Sequence, residues 1–218
     1  MLDGVGEVQG TAGFFDVVLH QRACRHFAPD PVSEDDLARM LDAAVHAPSA
    51  ENAQPWVFVV VRDADRRQRI AGLTRRLWAG GAGAHSRPRL AAGLFAEVDA
   101  SVRSGFGGAP VLVVVAGDGR DATTRRLLGA SIFPAVQNLL LAANALGYGS
   151  ALMTLATVAS AELGSMSSFP RGSSRSPSSP SADRPARSPH PGGSRPPARP
   201  TSSATSPDGV SWRPIVCY

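Results

Sequence analysis

The chain has 218 residues, 43% of them hydrophobic, which is enough for one ordinary domain with a buried core or two small ones. Its apolar runs, such as residues 57–61, are far shorter than the roughly 20 residues that cross a bilayer, and the acidic start lacks a signal-peptide pattern. Two cysteines, Cys24 and Cys217, cannot form a disulfide framework. We therefore expect a soluble, cytoplasmic protein with no membrane partner.

The formal charge of +4 at pH 7 would suit nucleic-acid binding, but this charge is concentrated in the C-terminal part of the chain. Residues 165–218 contain seven arginines and two aspartates, whereas residues 1–164 contain 15 arginines and 16 acidic residues. All 22 basic residues are arginine, which indicates a GC-rich coding sequence more than a binding surface. We expect no nucleic-acid partner.

The first clear secondary-structure patterns lie between residues 33 and 77. Residues 33–47 predict an amphipathic helix that Ser33 caps and that Pro48 ends. Residues 56–61 form a continuous apolar run that predicts a buried strand, and the Arg-rich residues 64–77 predict a second helix.

Further along the chain, glycine-rich breaks are predicted at residues 80–86 and 103–108, with a weaker helix between them at 90–102. A second buried strand is predicted at residues 111–116.

The most apolar helix candidate is residues 132–146, which we expect to be the central buried helix. A short strand at residues 150–154 follows it. This mixed order of helices and strands predicts a layered α+β or α/β domain.

Residues 165–218 differ in composition from the rest and hold eleven of the 18 prolines, amid serine, arginine and glycine. Such a segment predicts disorder, so we divide the chain into a domain at residues 1–164 and a tail at 165–218. The tail is either natural low-complexity sequence or the product of a frameshift. With assumed GC-rich codons, residues 176–187 read one base earlier can give VAVVPIGRPAR, a strand and a turn, and this favours the frameshift.

Two polar segments are candidates for ligand binding, since the chain has no Walker loop, HExxH, CxxC or GxSxG motif. Arg22 and Arg25, in HQRACRHF, have the spacing to hold one phosphate, although a solvated helix face is the more common explanation. In APSAENAQPWVFVVV, Ser49, Asn52 and Gln54 can hydrogen-bond the edge of a heteroaromatic ring, and a helix cap with a turn explains them equally well.

These two segments, followed by GAPVLVVVAGD and SIFPAVQNLLLAANALGYGSALMT, resemble the FMN-dependent nitroreductase family in order and spacing over about residues 14–164. The resemblance implies an α+β, nitroreductase-like fold in three layers, with a central, mostly antiparallel sheet flanked by helices. It also implies an intimate homodimer with one FMN in each of two interface clefts.

The resemblance further implies which residues would bind the cofactor. These are Arg22, Ala23, Cys24, Arg25, Pro48, Ser49, Asn52, Gln54, Leu152, Met153 and Thr154. The amide near Thr154 would donate to flavin N5. Ala23 stands where many members have serine, so one hydrogen bond to FMN would be missing. Cys24 is interpreted as a small packed residue, and neither a side-chain nucleophile nor a metal is implied.

The activity that the resemblance implies is ping-pong hydride transfer from NADH or NADPH, through flavin N5, to a nitroaromatic, quinone or similar small-molecule acceptor. Family members continue into a further strand and a C-terminal extension that this chain lacks, so we expect an exposed sheet edge and weak flavin binding. The alternative is therefore an inactive or weakly flavin-binding nitroreductase-like protein from a frameshifted gene.

Overall fold

The computed structural model describes residues 13–117, 122–167 and 215–217. Its helices are α1 (Phe14–His20), α2 (Glu34–Val45), α3 (Ala64–Leu77), α4 (Gly83–Ser86), α5 (Ala92–Arg103), α6 (Ala122–Ala145) and α7 (Ser160–Ser167). Its strands are β1 (Trp56–Val61), β2 (Leu112–Gly117), β3 (Leu152–Met153) and β4 (Ile215–Cys217). They form one sheet in the order β1-β2-β4-β3, and every pairing is antiparallel.

Strand β2 divides the core into two halves because its successive side chains point to opposite faces of the sheet. Val113 and Val115 pack with apolar side chains of α2 and α6 on one face. Leu112, Val114 and Ala116 pack with β1, α3 and α7 on the other. All of β2 is buried, as expected for a continuous apolar run covered on both sides. The expected fold, an antiparallel sheet between helical layers, is therefore confirmed.

Two helices begin at a capping residue, and the Ser33 cap of α2 was predicted. Ser33 caps α2 through its hydroxyl, which accepts a hydrogen bond from the Asp36 amide at 3.0 Å. Asp63 caps α3 in the same way, accepting from the Arg66 amide at 2.8 Å. The predicted strand at residues 56–61 is β1.

Helix α6 is longer than predicted, because it begins at Ala122 instead of residue 132 and runs through Pro134. The prediction placed this proline in the first turn, where proline is best tolerated. The buried side chain of Leu128 extends the apolar stripe of the helix upstream. Within the described residues, 127–145 is the one stretch long and apolar enough to cross a membrane, and it packs against α2 and β2 as a core helix.

The predicted break at residues 80–86 is wrong, since the chain remains helical there. A π-helical turn, Trp78–Ala82, joins α3 to α4, and a 3-10 turn, Arg87–Arg89, follows. Gly81 alone departs from helical geometry, with φ at +134°, so the glycine signal marks a kink and not an interruption.

The expectation that the sheet would lack a strand from the C-terminal part of the chain is also wrong. Strand β4 comes from within the 165–218 tail and pairs with β2 on one side and β3 on the other. The sequence IVC consists of residues that favour strands, and the proline-rich composition of the whole tail concealed it. The rest of the tail prediction, at residues 168–214 and 218, lies outside the described residues.

Candidate functional site

A cleft of about 470 Å³ opens beside the β3 end of the sheet, a size within the usual range for small-molecule sites. Three parts of the chain line it: the segment before α2, the region from Trp78 to the end of α5, and the residues around β3. The lining residues are Ala23, Arg25, Trp78, Ala82, Ser86, Val98, Ser101, Val102, Ala151, Leu152, Met153, Thr154, Leu155, Thr157 and Val158.

The backbone of residues 23 and 24 is attached to the stretch that enters β3. The Cys24 amide donates to the Ser150 carbonyl at 3.0 Å, and Ala23 forms an isolated parallel bridge with Ser150. A Cβ on Gly149 would lie 2.8 Å from the Cys24 sulfur, so the thiol fills the space that glycine leaves. This close packing is consistent with Cys24 as a packed residue and joins two walls of the cleft.

Gly107 supports the same segment from the other side. The Phe27 amide donates to the Gly107 carbonyl at 3.0 Å. A Cβ on Gly107, whose φ is +65°, would overlap the carbonyl of Arg25. Glycine is therefore required both by the backbone conformation and by the close approach of the two chain segments.

Arg25 is the one charged residue among those that line the cleft in the described part of the chain. Its side chain is 22% exposed, and its Nη1 lies 3.4 Å from Oε2 of Glu97 on α5. Arg22 does not line the cleft; it is exposed, and its Nη1 donates to the Gln21 carbonyl at 2.7 Å. Of the two arginines predicted to bind one phosphate, only Arg25 therefore lines this cleft.

Trp78 forms a buried aromatic wall. Its indole stacks on the Phe95 ring, with 5.9 Å between the ring centroids. The Arg87 guanidinium lies over the Phe95 ring, 5.3 Å from its centroid. The indole N–H donates to the Asp99 carboxylate at 2.8 Å. Hydrogen bonds from Arg103 and then Trp78 lower the pKa of Asp99, so the carboxylate stays charged and holds the indole in place.

The loop at residues 48–54 contributes nothing to this cleft. Its polar groups bond one another: the Ser49 hydroxyl accepts from the Gln54 amide at 3.0 Å, and the Gln54 side chain donates to Asn52 Oδ1 at 2.9 Å. Glu51, Asn52 and Gln54 all have φ between 49° and 53°. Such left-handed geometry is unusual for residues other than glycine, and it is often found at binding sites.

The structure therefore divides the eleven predicted cofactor residues. Five of them line the cleft, namely Ala23, Arg25, Leu152, Met153 and Thr154. Six do not, namely Arg22, Cys24, Pro48, Ser49, Asn52 and Gln54.

Sequence reasoning missed the α5 wall of the cleft, formed by Val98, Ser101 and Val102. The signal was present, because Ser101 is a polar residue on the apolar stripe of a predicted helix.

The helix-flanked antiparallel sheet and the cleft beside it define an α+β protein with a small-molecule site, and a family model identifies the family. The model described as "Nitroreductase family" matches residues 18–166. The chain belongs to the nitroreductase family, a family of oxidoreductases.

Two curated relatives illustrate how far the similarity extends. Protein DrgA from Synechocystis sp. is 30% identical over 166 residues, which cover 64% of this chain and 70% of DrgA. The 5,6-dimethylbenzimidazole synthase of Rhodospirillum rubrum is 51% identical over 47 residues. That second match spans only 22% of either protein, so it represents one segment and not a whole enzyme.

Solved structures show the same fold. A BluB-like flavoprotein from Clostridium difficile matches with a TM-score of 0.56 at 25% identity, over 74% of this chain and 84% of that one. A putative nitroreductase from Desulfovibrio desulfuricans, solved in complex with FMN, matches with a TM-score of 0.53 at 25% identity. The match covers 68% of this chain and 72% of that one.

Proposed function

We propose that the chain is an FMN-dependent oxidoreductase that passes electrons from NADH or NADPH to a small-molecule acceptor, such as a nitroaromatic or a quinone, in ping-pong turnover. One observation carries this proposal. Residues from two distant segments, Ala23 with Arg25 and Leu152 to Thr154, meet in one cleft, and both segments are those that the family resemblance implies for FMN.

The donor groups around the cleft suit a flat cofactor with an anionic chain. Arg25 supplies a cation for a phosphate, and guanidinium groups bind phosphate oxygens in bidentate geometry. Thr154 and Thr157 supply polar groups beside the apolar Leu152. The buried Ser101 hydroxyl has no partner within the described residues and can satisfy an oxygen of the cofactor.

FMN, when bound, supplies the two-electron chemistry by accepting hydride at N5. The chain's own residues bind the cofactor and orient it. We assign to the amide near Thr154 the hydrogen bond to the N5 edge, and to Arg25 the charge that favours the anionic chain. The apolar wall of Val98 and Val102 excludes water from that side of the cleft.

We propose further that two copies of the chain assemble as a homodimer and share each site. The loop at residues 48–54 is solvent-facing and strained, and it does not line the cleft of its own chain. Helix α1 presents large apolar side chains to solvent, with Phe14 70% exposed and Phe15 75% exposed. A partner copy would cover this apolar surface and bring its own Ser49 and Asn52 to the cleft.

We assign the cofactor-binding residues to the domain at 1–164, with β4 completing its sheet, and place the protein in the cytoplasm, where NADH and NADPH are available. The acceptor is a small molecule, because the cleft holds only about 470 Å³ and Arg25 is the one charge on its described walls.

An absorption spectrum of the purified chain tests the function. Added FMN should be retained after gel filtration, and its visible band should bleach when NADH or NADPH is added under argon. Arg25→Ala should lose the flavin, whereas Arg39→Ala, which removes an exposed arginine paired with Asp36, should retain it. A chain that retains no flavin contradicts the proposal and favours the inactive product of a frameshifted gene.

Complementation tests the shared site. Arg25→Ala and Asn52→Ala should each bind FMN weakly alone. After the two variants are unfolded together and refolded, half of the dimers are mixed, and each mixed dimer holds one site with both wild-type segments. About a quarter of all sites should then recover wild-type affinity, and no recovery would show that each chain builds its site alone.

A further inference from the structure

Ser101 is a buried polar residue on α5 that lines the cleft. Its relative exposure is 1%, and its hydroxyl has no hydrogen-bond partner within the part of the chain that the structure describes. Buried hydroxyl groups in native proteins are nearly always paired, so an unpaired one on the wall of a cleft requires an explanation.

Thr74 shows how the same fold satisfies a buried hydroxyl without a ligand. Thr74 is fully buried in α3, and its Oγ1 donates to the Ile70 carbonyl four residues earlier at 3.0 Å. Ser101 has the equivalent carbonyl one turn back, at Glu97, yet its hydroxyl does not bond it. The local helix therefore does not use the donor, which leaves it available to a ligand in the cleft.

The surroundings of Ser101 indicate which group this is. Ser101 and Arg25 line the same cleft, and Glu97, one helical turn before Ser101 on α5, pairs with Arg25. Val98 and Val102 line the same wall and keep it apolar. A single hydroxyl donor in such a wall selects a ligand oxygen at that position.

We infer that the Ser101 hydroxyl donates a hydrogen bond to an oxygen of bound FMN, which makes Ser101 a cofactor-binding residue outside both motif segments. This inference rests on the proposed function. The bond satisfies a donor that is otherwise unpaired, so it strengthens cofactor binding without supporting the fold of the apoprotein.

Two measurements on Ser101→Ala separate this role from a structural one. The dissociation constant of FMN, measured by quenching of flavin fluorescence, should rise about three- to tenfold, as for the loss of one hydrogen bond. The melting temperature of the apoprotein should stay the same or rise, because the variant removes an unpaired buried hydroxyl. Thr74→Val is the matched control: it should lower the apoprotein melting temperature and leave the FMN dissociation constant unchanged.

The outcomes distinguish this inference from the proposed function. If the wild-type chain binds FMN and Ser101→Ala binds it equally well, the inference is overturned and the proposed function stands. If the wild-type chain binds no FMN, both fail. If Ser101→Ala does not fold, Ser101→Cys replaces it, since a thiol is a weaker donor of similar size. An FMN dissociation constant between those expected for serine and alanine supports the inference, and a wild-type value overturns it.

Discussion

With Arg25 in its proposed role as the phosphate ligand, Glu97 would compete with the cofactor phosphate, and removing the charge of Glu97 should tighten FMN binding. The carboxylate lies 3.4 Å from the guanidinium, and the Glu97 side chain is 60% exposed. Ion pairs this exposed contribute roughly 0.2–1 kcal/mol. A phosphate must displace this pair and also approach a like charge, so Glu97→Gln should lower the FMN dissociation constant about two- to fivefold.

The assay is flavin fluorescence quenching at two ionic strengths. At about 0.15 M salt the Debye length is roughly 8 Å, and the benefit of Glu97→Gln should shrink when the salt is raised to about 1 M. Glu34→Gln is the matched control, because Glu34 pairs with Arg62 at 3.1 Å away from the cleft and should leave FMN binding unchanged. Weaker binding by Glu97→Gln would refute the reasoning, since it would show that Glu97 orients Arg25 for the phosphate.

Three further predictions concern the framework of the site. Gly107→Ala should destabilise the fold by at least about 2 kcal/mol in denaturant titrations and weaken FMN binding, because the new Cβ overlaps the Arg25 carbonyl. Gly147→Ala is the control, since Gly147 has φ at +82° but open space around it. This variant should lose only the backbone strain energy of about 1–2 kcal/mol and leave FMN affinity unchanged. The pKa of Asp99 is lowered in the fold, so its stabilising effect is present at neutral pH and is lost as the pH falls below about 4; melting temperatures should therefore fall less steeply with acid in Asp99→Asn than in the wild type, and an identical pH profile would contradict this. Removing residues 214–218 deletes β4 and should abolish flavin retention, whereas removing residues 180–190 should not; equal retention by both deletions would show that the β4 pairing has no part in the site.

The sequence predicted those parts of the fold that depend on short-range patterns. Strand β1 and helix α3 were predicted at their observed bounds, because an apolar run and the Arg-rich segment that follows it are local signals. Strand β4 was missed, since three residues are too few to stand out within a proline-rich tail. The residues 80–86 were mistaken for a break because glycine lowers helix propensity, and tertiary packing of Trp78 against Gly83 overrides that preference.

The site was predictable only in part, for a similar reason. Ala23 with Arg25 and Leu152 to Thr154 were found because they belong to segments with a family resemblance, and the structure brings them together. Ser101 belongs to no motif, and its importance depends on what α5 packs against. The absence of the 48–54 loop from the cleft could not be foreseen either, since spacing along a chain does not show which segments meet in the fold.

The position of β4 links the cleft to the timing of protein synthesis. In the described sheet, β3 pairs only with β4, so the residues after β3 that line the cleft depend on a strand more than 60 residues further along the chain. A nascent chain can fold α2, β1 and β2 on the ribosome, but β3 cannot join the sheet until residues 215–217 have emerged. Cofactor capture is therefore expected to follow the synthesis of β4, and a chain terminated before β4 would retain most of its core while failing to load flavin.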